Sequence, residues 1–358
     1  MQILFKTRYE DDIRFLARTG EKIRVGLVIT FLLTAPLFLQ NYYLAELGLL
    51  LVYAIAGIGL MILTGFTGQV SFGHAAFLGI GAYCHSVLMS SGVPFSMSVL
   101  LTMALSGVIG MALGRSASRM HGFYLAIATL AFLILVESVL GGWSSLTGGH
   151  AGFVVPELRI FGVTLSKVWH QYYVDVAFSL LVVWGVSNLL RAPIGRSFLA
   201  VRDSELSARS LGVNVEWAKI QSFGISAAIT ALAGALLAHQ LTYLAPDVFG
   251  VLESLKLLLM IVVGGLGSVI GAIFGAIFIS LLPVALSFLK DVLPPVIGRQ
   301  AGLEPLLFGS IIVLFIVFEP AGIYGRWLKL RYFFETFPYY RKASFVRQKS
   351  YLKTERMR

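Results

Sequence analysis

A single cysteine, Cys84, in a chain of 358 residues leaves an intrachain disulfide without a second half and rules out a metal cluster built on cysteines. Charge is scarce as well: 13% of the residues are Asp, Glu, Lys or Arg, against 57% hydrophobic, and the mean hydropathy is +0.84. A soluble domain carries about twice that charge, so the composition points to an integral membrane protein. There is no HExxH zinc motif, no G-x-S-x-G elbow and no paired acid/base set, which removes the usual grounds for catalysis. No G-x-x-x-x-G-K-[ST] loop is present either, so the chain cannot bind and hydrolyse ATP in the P-loop manner. If transport is ATP-driven, the engine is a separate polypeptide. The apolar stretches lack period-two alternation, which excludes a transmembrane β-barrel. The first residues are of mixed charge and lead to no small-residue cleavage site, so no removed signal peptide is expected.

What the chain does have is apolar length. A helix needs roughly 20 apolar residues to cross a hydrocarbon core of about 30 Å, and it satisfies its own backbone where lipid offers no partners. Segments bounded by charges and turn residues predict spans at 25–39, 44–63, 72–90, 95–113, 122–140, 174–190, 220–240, 254–264, 269–289 and 303–318. The expected fold class is an all-α integral membrane protein, a polytopic bundle of about ten transmembrane helices, some broken or short. The first span is short unless Lys22 and Arg24 snorkel. The 254–264 segment is too short unless it extends to Asp247 or forms a broken helix.

With a cytoplasmic N-terminus, segments 1–24, 114–121, 191–219 and 319–358 lie inside and carry 6, 2, 5 and 10 Lys plus Arg. The outer loops carry four, Arg159, Lys167, Lys290 and Arg299, and Lys256 stands at a span edge. That asymmetry follows the positive-inside rule and predicts both termini cytoplasmic. The net charge of +10 is thus a topology signal before it is a nucleic-acid footprint. The organisation expected is a cytoplasmic N-terminal segment 1–24, a transmembrane domain 25–325 and a basic cytoplasmic tail 326–358. The tail carries Trp327, Tyr332, Phe333, Phe334, Tyr339 and Tyr340 and suits contact with an anionic leaflet or a specific partner.

Three glycine-rich interruptions stand out. In the first, between the second and third spans, Thr64, Gly65, Thr67, Gly68, Gln69, Ser71, Gly73 and His74 combine side-chain hydrogen-bonding groups with glycines. At membrane depth such a stretch must be shielded by protein or line a watery cavity, and broken helices recurrently form substrate paths in transporters. It reads either as part of a translocation pathway or as a turn before a small-residue packing helix. The second runs Gly264-Gly265-Leu266-Gly267-Ser268, followed by Gly271 and Gly275. Gly264, Gly265 and Gly267 are further pathway candidates, while Gly267, Gly271 and Gly275, spaced by four, predict one helical face in close packing. The third, 146–153, belongs to the longest outer loop and reads as a receptor for a soluble ligand carrier or as a connector. The first two breaks occupy comparable places and hint at an internal duplication; both preceding spans run in the same direction, so an inverted repeat is not supported.

Ionisable residues within the spans are few: His74, His85, Glu137, Asp175, His239, Glu253 and Lys256. No midplane carboxylate or histidine relay of the kind that drives ion-coupled carriers is evident. Glu137 fits an interfacial or packed role, and Glu253 and Lys256, three apart, can pair on one helical face.

The polar stretch 191–219 cannot lie in hydrocarbon. Residues 196–211 have helix-forming content, and Gly212 suits a C-terminal stop. Phe198, Val201, Leu206 and Leu211 are candidate apolar anchors, with Arg202, Asp203, Glu205 and Arg209 at the rim. The pattern fits an amphipathic helix seated in a partner's groove, or a linker helix on the membrane surface.

The run Gly195-Arg196 to Ala200-Val201-Arg202-Asp203, then Glu205 and Ser207-Ala208-x-x-x-Gly212, resembles the cytoplasmic coupling loop of ABC importer permeases. Residues 64–77, 264–271 and 318–323 resemble further motifs of the same family. In this order they are similar to the LivM-type permease subunits of branched-chain amino acid ABC importers. Two letters depart from the importer-wide Glu-Ala-Ala-x-x-x-Gly consensus: Leu206 stands in place of Glu and Ser207 in place of the first Ala. The resemblance implies a multi-pass permease in a bacterial inner membrane, paired with a homologous LivH-type permease, two cytoplasmic ABC ATPase subunits and a periplasmic solute-binding protein. It implies an ATPase-coupling role for Arg202, Asp203, Glu205, Ser207, Ala208, Arg209 and Gly212. ATP and Mg would be bound by the ATPases and no cofactor or metal by this chain. Branched-chain amino acids are the cargo expected; urea, short amides or aromatic acids are alternatives within the family, and an ion-coupled secondary carrier or channel is the rival class.

Overall fold

The computed structural model describes residues 19–120, 122–160, 163–165, 167–292 and 322–336, with single positions between 306 and 318. Most of the expected N-terminal segment, most of the expected span 303–318, half of the motif at 318–323 and the tail beyond residue 336 lie outside the described residues.

The helices are α1 (Thr19–Phe38), α2 (Asn41–Met61), α3 (His74–Ser90), α4 (Phe95–Ala117), α5 (Phe123–Gly142), a short α6 (Ser144–Thr147), α7 (Val168–Arg191), α8 (Pro193–Asp203), α9 (Glu205–Ser210), α10 (Val215–Leu241), α11 (Val251–Gly264), α12 (Val269–Val292) and α13 (Gly322–Thr336). Helix α2 continues into a π-helical turn, Ile62–Phe66. Nine of the expected spans fall on helices. Among the described residues, five helices are long and apolar enough to cross a membrane: α2 with its extension, α4, α5, α7 and α10. A sixth crossing is available if Pro246–Gly264 and Val269–Ala285, bent by 120° against each other, count as one. The chain is therefore a multi-pass, all-α membrane protein whose shorter members include α3, with 17 residues, and α11, with 14.

Two helices form the centre. About four-fifths of the apolar windows of α2 and α10 is buried (78% and 83%), against 33% for α4 and 28% for α5 and α7. Helix α10 packs on α4, α3 and α2. Small residues permit this: a Cβ on Gly81 would lie 2.2 Å from the carbonyl oxygen of Ala231, and one on Gly234 would lie 2.0 Å from that of Leu78. Between apolar helices in lipid, such backbone proximity is a principal source of attraction.

Helix α1 joins the bundle through a backbone defect. Pro36 has no N–H, so the carbonyl of Leu32 loses its intrahelical donor, and the Tyr172 hydroxyl donates to that oxygen at 2.9 Å. At one end of the bundle two small antiparallel ribbons form: β1 (Phe153–Val154) with β4 (Tyr243–Leu244), and β2 (Arg159–Ile160) with β3 (Val163–Thr164). The third interruption is therefore tied down. Gly148, Gly149 and Gly152 take positive φ, and the Tyr243 hydroxyl donates to the carbonyl of Ala151.

Candidate functional site

The first interruption is a broken helix with its backbone groups individually answered. A helix end leaves carbonyls without intrahelical donors. Here the Thr67 hydroxyl donates to Ile62 O at 2.9 Å, Gln69 N–H donates to Leu63 O at 3.0 Å, and the Thr64 hydroxyl donates to Gln69 O at 3.2 Å. On the far side Phe72 N–H donates to Thr129 Oγ1 at 3.0 Å, and the carbonyl of Phe72 accepts from Ser254. His74 opens α3 with both ring nitrogens engaged, Nδ1 with Ser71 Oγ at 2.9 Å and Nε2 with Ser226 Oγ at 2.7 Å. Thr64, Thr67, Gln69, Ser71 and His74 are all buried; Gly68 and Val70 are exposed. Of the two conditions that admit irregular backbone at membrane depth, the structure meets the first, shielding by protein. Gln69 donates through Nε2 to Ser222 Oγ at 3.5 Å, while its buried Oε1 has no hydrogen-bond partner.

The second interruption is a tight hairpin. A Cβ on Gly264 would lie 2.0 Å from Gly271 O, one on Gly271 2.4 Å from Gly265 O, and one on Gly275 1.9 Å from Met260 O. Gly271 and Gly275 thus form the packing face expected of them. Gly267 does not join it: α12 starts at Val269, and Gly267 sits in the preceding turn at φ +84°. The two interruptions touch. Gly267 N–H lies 3.2 Å from Met61 Sδ, and a Cβ on Gly65 would lie 2.9 Å from Gly267 N.

The polar stretch at 191–219 forms two helices rather than one. Ser204 breaks the run with extended backbone (φ −165°, ψ 114°), and its hydroxyl caps α9 by accepting from Ser207 N–H at 3.2 Å. Gly212 does end α9, at φ +82°. Gly212 N–H donates to Arg209 O and Val213 N–H to Ala208 O, both at 3.0 Å, the paired bonds of a Schellman stop. The anchors divide. Phe198, Val201 and Ala208 are buried against the chain's own bundle, whereas Leu206 and Leu211 stand 82% and 80% exposed. Helix α8 spends its apolar face on the chain itself, so only the second pair is free for a partner. Asp203, Ser207 and Arg209 are exposed. Glu205 is paired with Lys219 Nζ at 2.7 Å, which ties α9 to the second turn of α10.

Arg202 brings these parts together. A Cβ on Gly68 would lie 3.5 Å from Arg202 Cα, and one on Gly267 2.5 Å from Arg202 Nη1. The end of α8 therefore rests on both glycine breaks at once.

A further polar site is absent from the candidates read out of the sequence. Lys256 Nζ donates to the Tyr53 hydroxyl at 2.8 Å and lies 3.5 Å from Glu253 Oε2. Tyr53 and Lys256 line a cavity of about 370 Å³ between α2, α11 and α12, together with Glu46; Glu253 pairs with Lys256 but is not among the lining residues. The only sequence signal was the i, i+3 spacing of Glu253 and Lys256; Tyr53 lies far away in the chain. A buried trio toward the C-terminal end of α3 was also missed as a group: His85 Nε2 is 3.0 Å from His239 Nε2, and His85 Nδ1 is 2.8 Å from Ser98 Oγ.

The family described as "Branched-chain amino acid transport system / permease component" matches residues 42–317. The high-affinity branched-chain amino acid transport system permease protein LivM of Salmonella typhimurium is 30% identical over 298 residues, covering 76% of this chain and 68% of that protein. Its Escherichia coli counterpart is 29% identical over 300 residues, covering 77% and 68%. The autoinducer 2 import system permease protein LsrC of Salmonella typhimurium is 27% identical over 292 residues, covering 78% and 81%.

Proposed function

We propose, for a chain that belongs to the family of permease components of branched-chain amino acid transport systems, that it is the membrane-spanning permease of an ATP-driven importer of branched-chain amino acids delivered by a periplasmic binding protein. Family membership makes it a transport subunit of ABC type. The cargo and partners are the further step. In this reading the chain lies in the inner membrane of a bacterium, pairs with a LivH-type permease and receives two cytoplasmic ATPase subunits, which bind the ATP and Mg. It holds no catalytic residue itself.

The observation that carries the reading is the position of Arg202. A force applied to α8 and α9 from outside the bundle reaches Gly68 and Gly267 through one side chain and its backbone. Both breaks are places where helices can change their mutual angle without breaking regular hydrogen bonds. Leu206, Leu211 and Arg209 form the exposed face on which an ATPase would seat, while Glu205, capped Ser207 and Gly212 hold that face in shape. The Thr64–His74 stretch and the Gly264–Gly267 turn then act as the gate. Switching requires two packings of the bundle and a cargo that prefers one of them.

The LsrC relatives favour a second reading, in which the cargo is a small polar solute of the autoinducer 2 kind. One experiment addresses class and cargo together. The chain is reconstituted in proteoliposomes with its second permease, ATPases and binding protein, and leucine uptake is measured with and without ATP. ATP-dependent uptake by the full complex and none by the chain alone is expected. Uptake by the chain alone under an ion gradient would refute the importer. ATP-dependent uptake of autoinducer 2 with none of leucine would select the second cargo.

A further inference from the structure

The cavity beside Tyr53 takes no part in the coupling just described, yet it holds the charged groups of the bundle that are hardest to place. Tyr53 is twelve residues from the start of α2, roughly 18 Å along a helix rising 1.5 Å per residue, and so near the middle of the 26-residue crossing Asn41–Phe66. Lys256 is anchored to it at that depth. Facing lipid, an ammonium group there would be costly, and intramembrane charge marks a substrate or ion route by default. The Lys256 side chain is 30% exposed and Glu253 14%. The open side of the cavity must therefore meet water or protein. Two further features show that Lys256 is loosely held. Glu253 keeps Oε1 buried without a hydrogen-bond partner, and its contact with Lys256, at 3.5 Å, is long for a charge-assisted bond. The pair is assembled but not tightly closed.

We propose that this cavity, which runs along α2 from Tyr42 to Tyr53, is a station for the zwitterionic end of an α-amino acid. Lys256, steadied by Tyr53 and Glu253, takes the carboxylate; Glu46 takes the ammonium. The inference rests on the permease reading above and names the residues that would meet its cargo. A zwitterion fits for a physical reason. It offers one negative group to Lys256 and one positive group to Glu46, the two charged residues of the cavity wall, so each gains an opposite neighbour and the net charge of the site is unchanged. A neutral solute would answer neither wall charge, and a lone ion would answer only one. Leu49 and Ile279, on the same walls, offer apolar surface to an aliphatic side chain, the usual makeup of a small-molecule site.

The test uses the whole complex. Lys256→Met and Glu253→Gln are combined, so that no unpaired charge is left buried, and leucine uptake is measured on variant complexes shown by co-purification to assemble. Loss of charge-assisted hydrogen bonds predicts a fall of at least about tenfold in uptake. In parallel, Ser280→Cys, at a position that lines the cavity, is placed on a Cys84→Ser background and exposed to a membrane-impermeant thiol reagent; labelling slowed by leucine is expected. Wild-type uptake matched by the assembled double variant overturns the station and leaves the permease reading intact. A wild-type complex that imports no leucine overturns that reading and the zwitterion assignment with it. Uptake abolished by collapsing an ion gradient would reassign the cavity to a coupling cation. If the double variant does not assemble, the labelling decides: an introduced thiol that is unreactive, or whose labelling leucine does not slow, refutes the proposal.

Discussion

Replacing Gly264 by alanine should unfold the hairpin between α11 and α12, while the same replacement at Gly185 should do the reverse. A Cβ at position 264 would stand 2.0 Å from Gly271 O, 2.8 Å from Gly275 N and 2.9 Å from Gly271 C, all backbone atoms. Reaching an ordinary contact of about 3.4 Å requires the two backbones to part by about 1.4 Å at the first of these atoms. No rotamer change can relieve the overlap. Parting them also forfeits dispersion, since a radial gap of about 0.5–1 Å already loses a quarter to a half of each contact, and packing is what holds helices together in lipid. The cost belongs at or above the top of the overpacking range, about 3 kcal/mol. Gly185 lies inside α7 with nothing within 4 Å of its Cβ position, so alanine there gains helix propensity of up to about 1 kcal/mol. The two variants should therefore differ by about 4 kcal/mol. At about 2 °C per kcal/mol for a long chain, their melting midpoints in detergent, followed by size-exclusion recovery after heating, should stand about 8 °C apart. A Gly264→Ala protein melting with wild type would refute the close apposition of the hairpin.

Three other outcomes follow from the geometry around the polar stretch and the first break. Glu205→Ala removes a carboxylate from the nearly fully buried Lys219, which keeps the carbonyl of Ser118 at 3.5 Å, and should cost about 3 kcal/mol, the low end for a broken buried pair because Glu205 keeps a third of its side chain in solvent; adding Lys219→Met should restore most of the loss in the same melting assay. Ser204→Ala removes the cap of α9 at about 1 kcal/mol, and Gly212→Ala strains its stop by a similar amount, so each should reduce co-purification of the ATPases without reducing membrane insertion; undiminished recovery would argue against docking at α9. Gly73→Ala, whose Cβ would lie 2.4 Å from Thr129 O, should abolish leucine uptake, whereas Gly68→Ala has room to 3.5 Å and only its φ of +76° to strain, and should retain most of it; equal loss in both would point to a contact with the cargo rather than packing.

Periodicity and hydropathy made most helices legible because burial in lipid acts on every residue of a span. The breaks were legible for a similar reason: glycines and hydroxyl side chains together have no place in a regular apolar helix. Gly212 was readable as a stop because a positive φ has few other occupants. Less visible was Ser204, a residue compatible with helix, turn or cap; only the burial of Phe198 and Val201 against the bundle forces the chain to turn there. That same burial turned two expected docking anchors inward, a choice made by neighbours distant in sequence. The spacing of Gly267, Gly271 and Gly275 was real for the last two and coincidental for the first, since the helix begins after it. The hint of duplication does not extend to helix lengths: the first break joins a long α2 to a short α3, and the second joins a short α11 to a long α12. Lys256, placed at a span edge by hydropathy, meets Tyr53 near the middle of α2, a contact that only the folded bundle brings about.

The chemistry of the first break explains why it suits movement while the Tyr53 cavity does not. Ser226 donates its hydroxyl proton to Gly59 O at 2.6 Å, so toward His74 Nε2 it can only accept. The imidazole must then carry its proton on Nε2, and Nδ1 accepts from the Ser71 hydroxyl, whose oxygen is left to receive Gly73 N–H at 3.3 Å. Every member of this chain is satisfied with a neutral histidine and no fixed charge. Hydroxyls are donors and acceptors at once, and Ser71, Ser222, Ser226, Ser254 and Thr129 come from the break itself and three helices around it, so a small shift of one helix exchanges partners instead of stranding one. A charged pair has no such freedom: separating Lys256 from Glu253 at mid-depth costs solvation that only another pair of opposite charges restores. The bundle thus places its adaptable hydrogen bonds beside Arg202, and its unyielding charges beside the cavity proposed for the zwitterion.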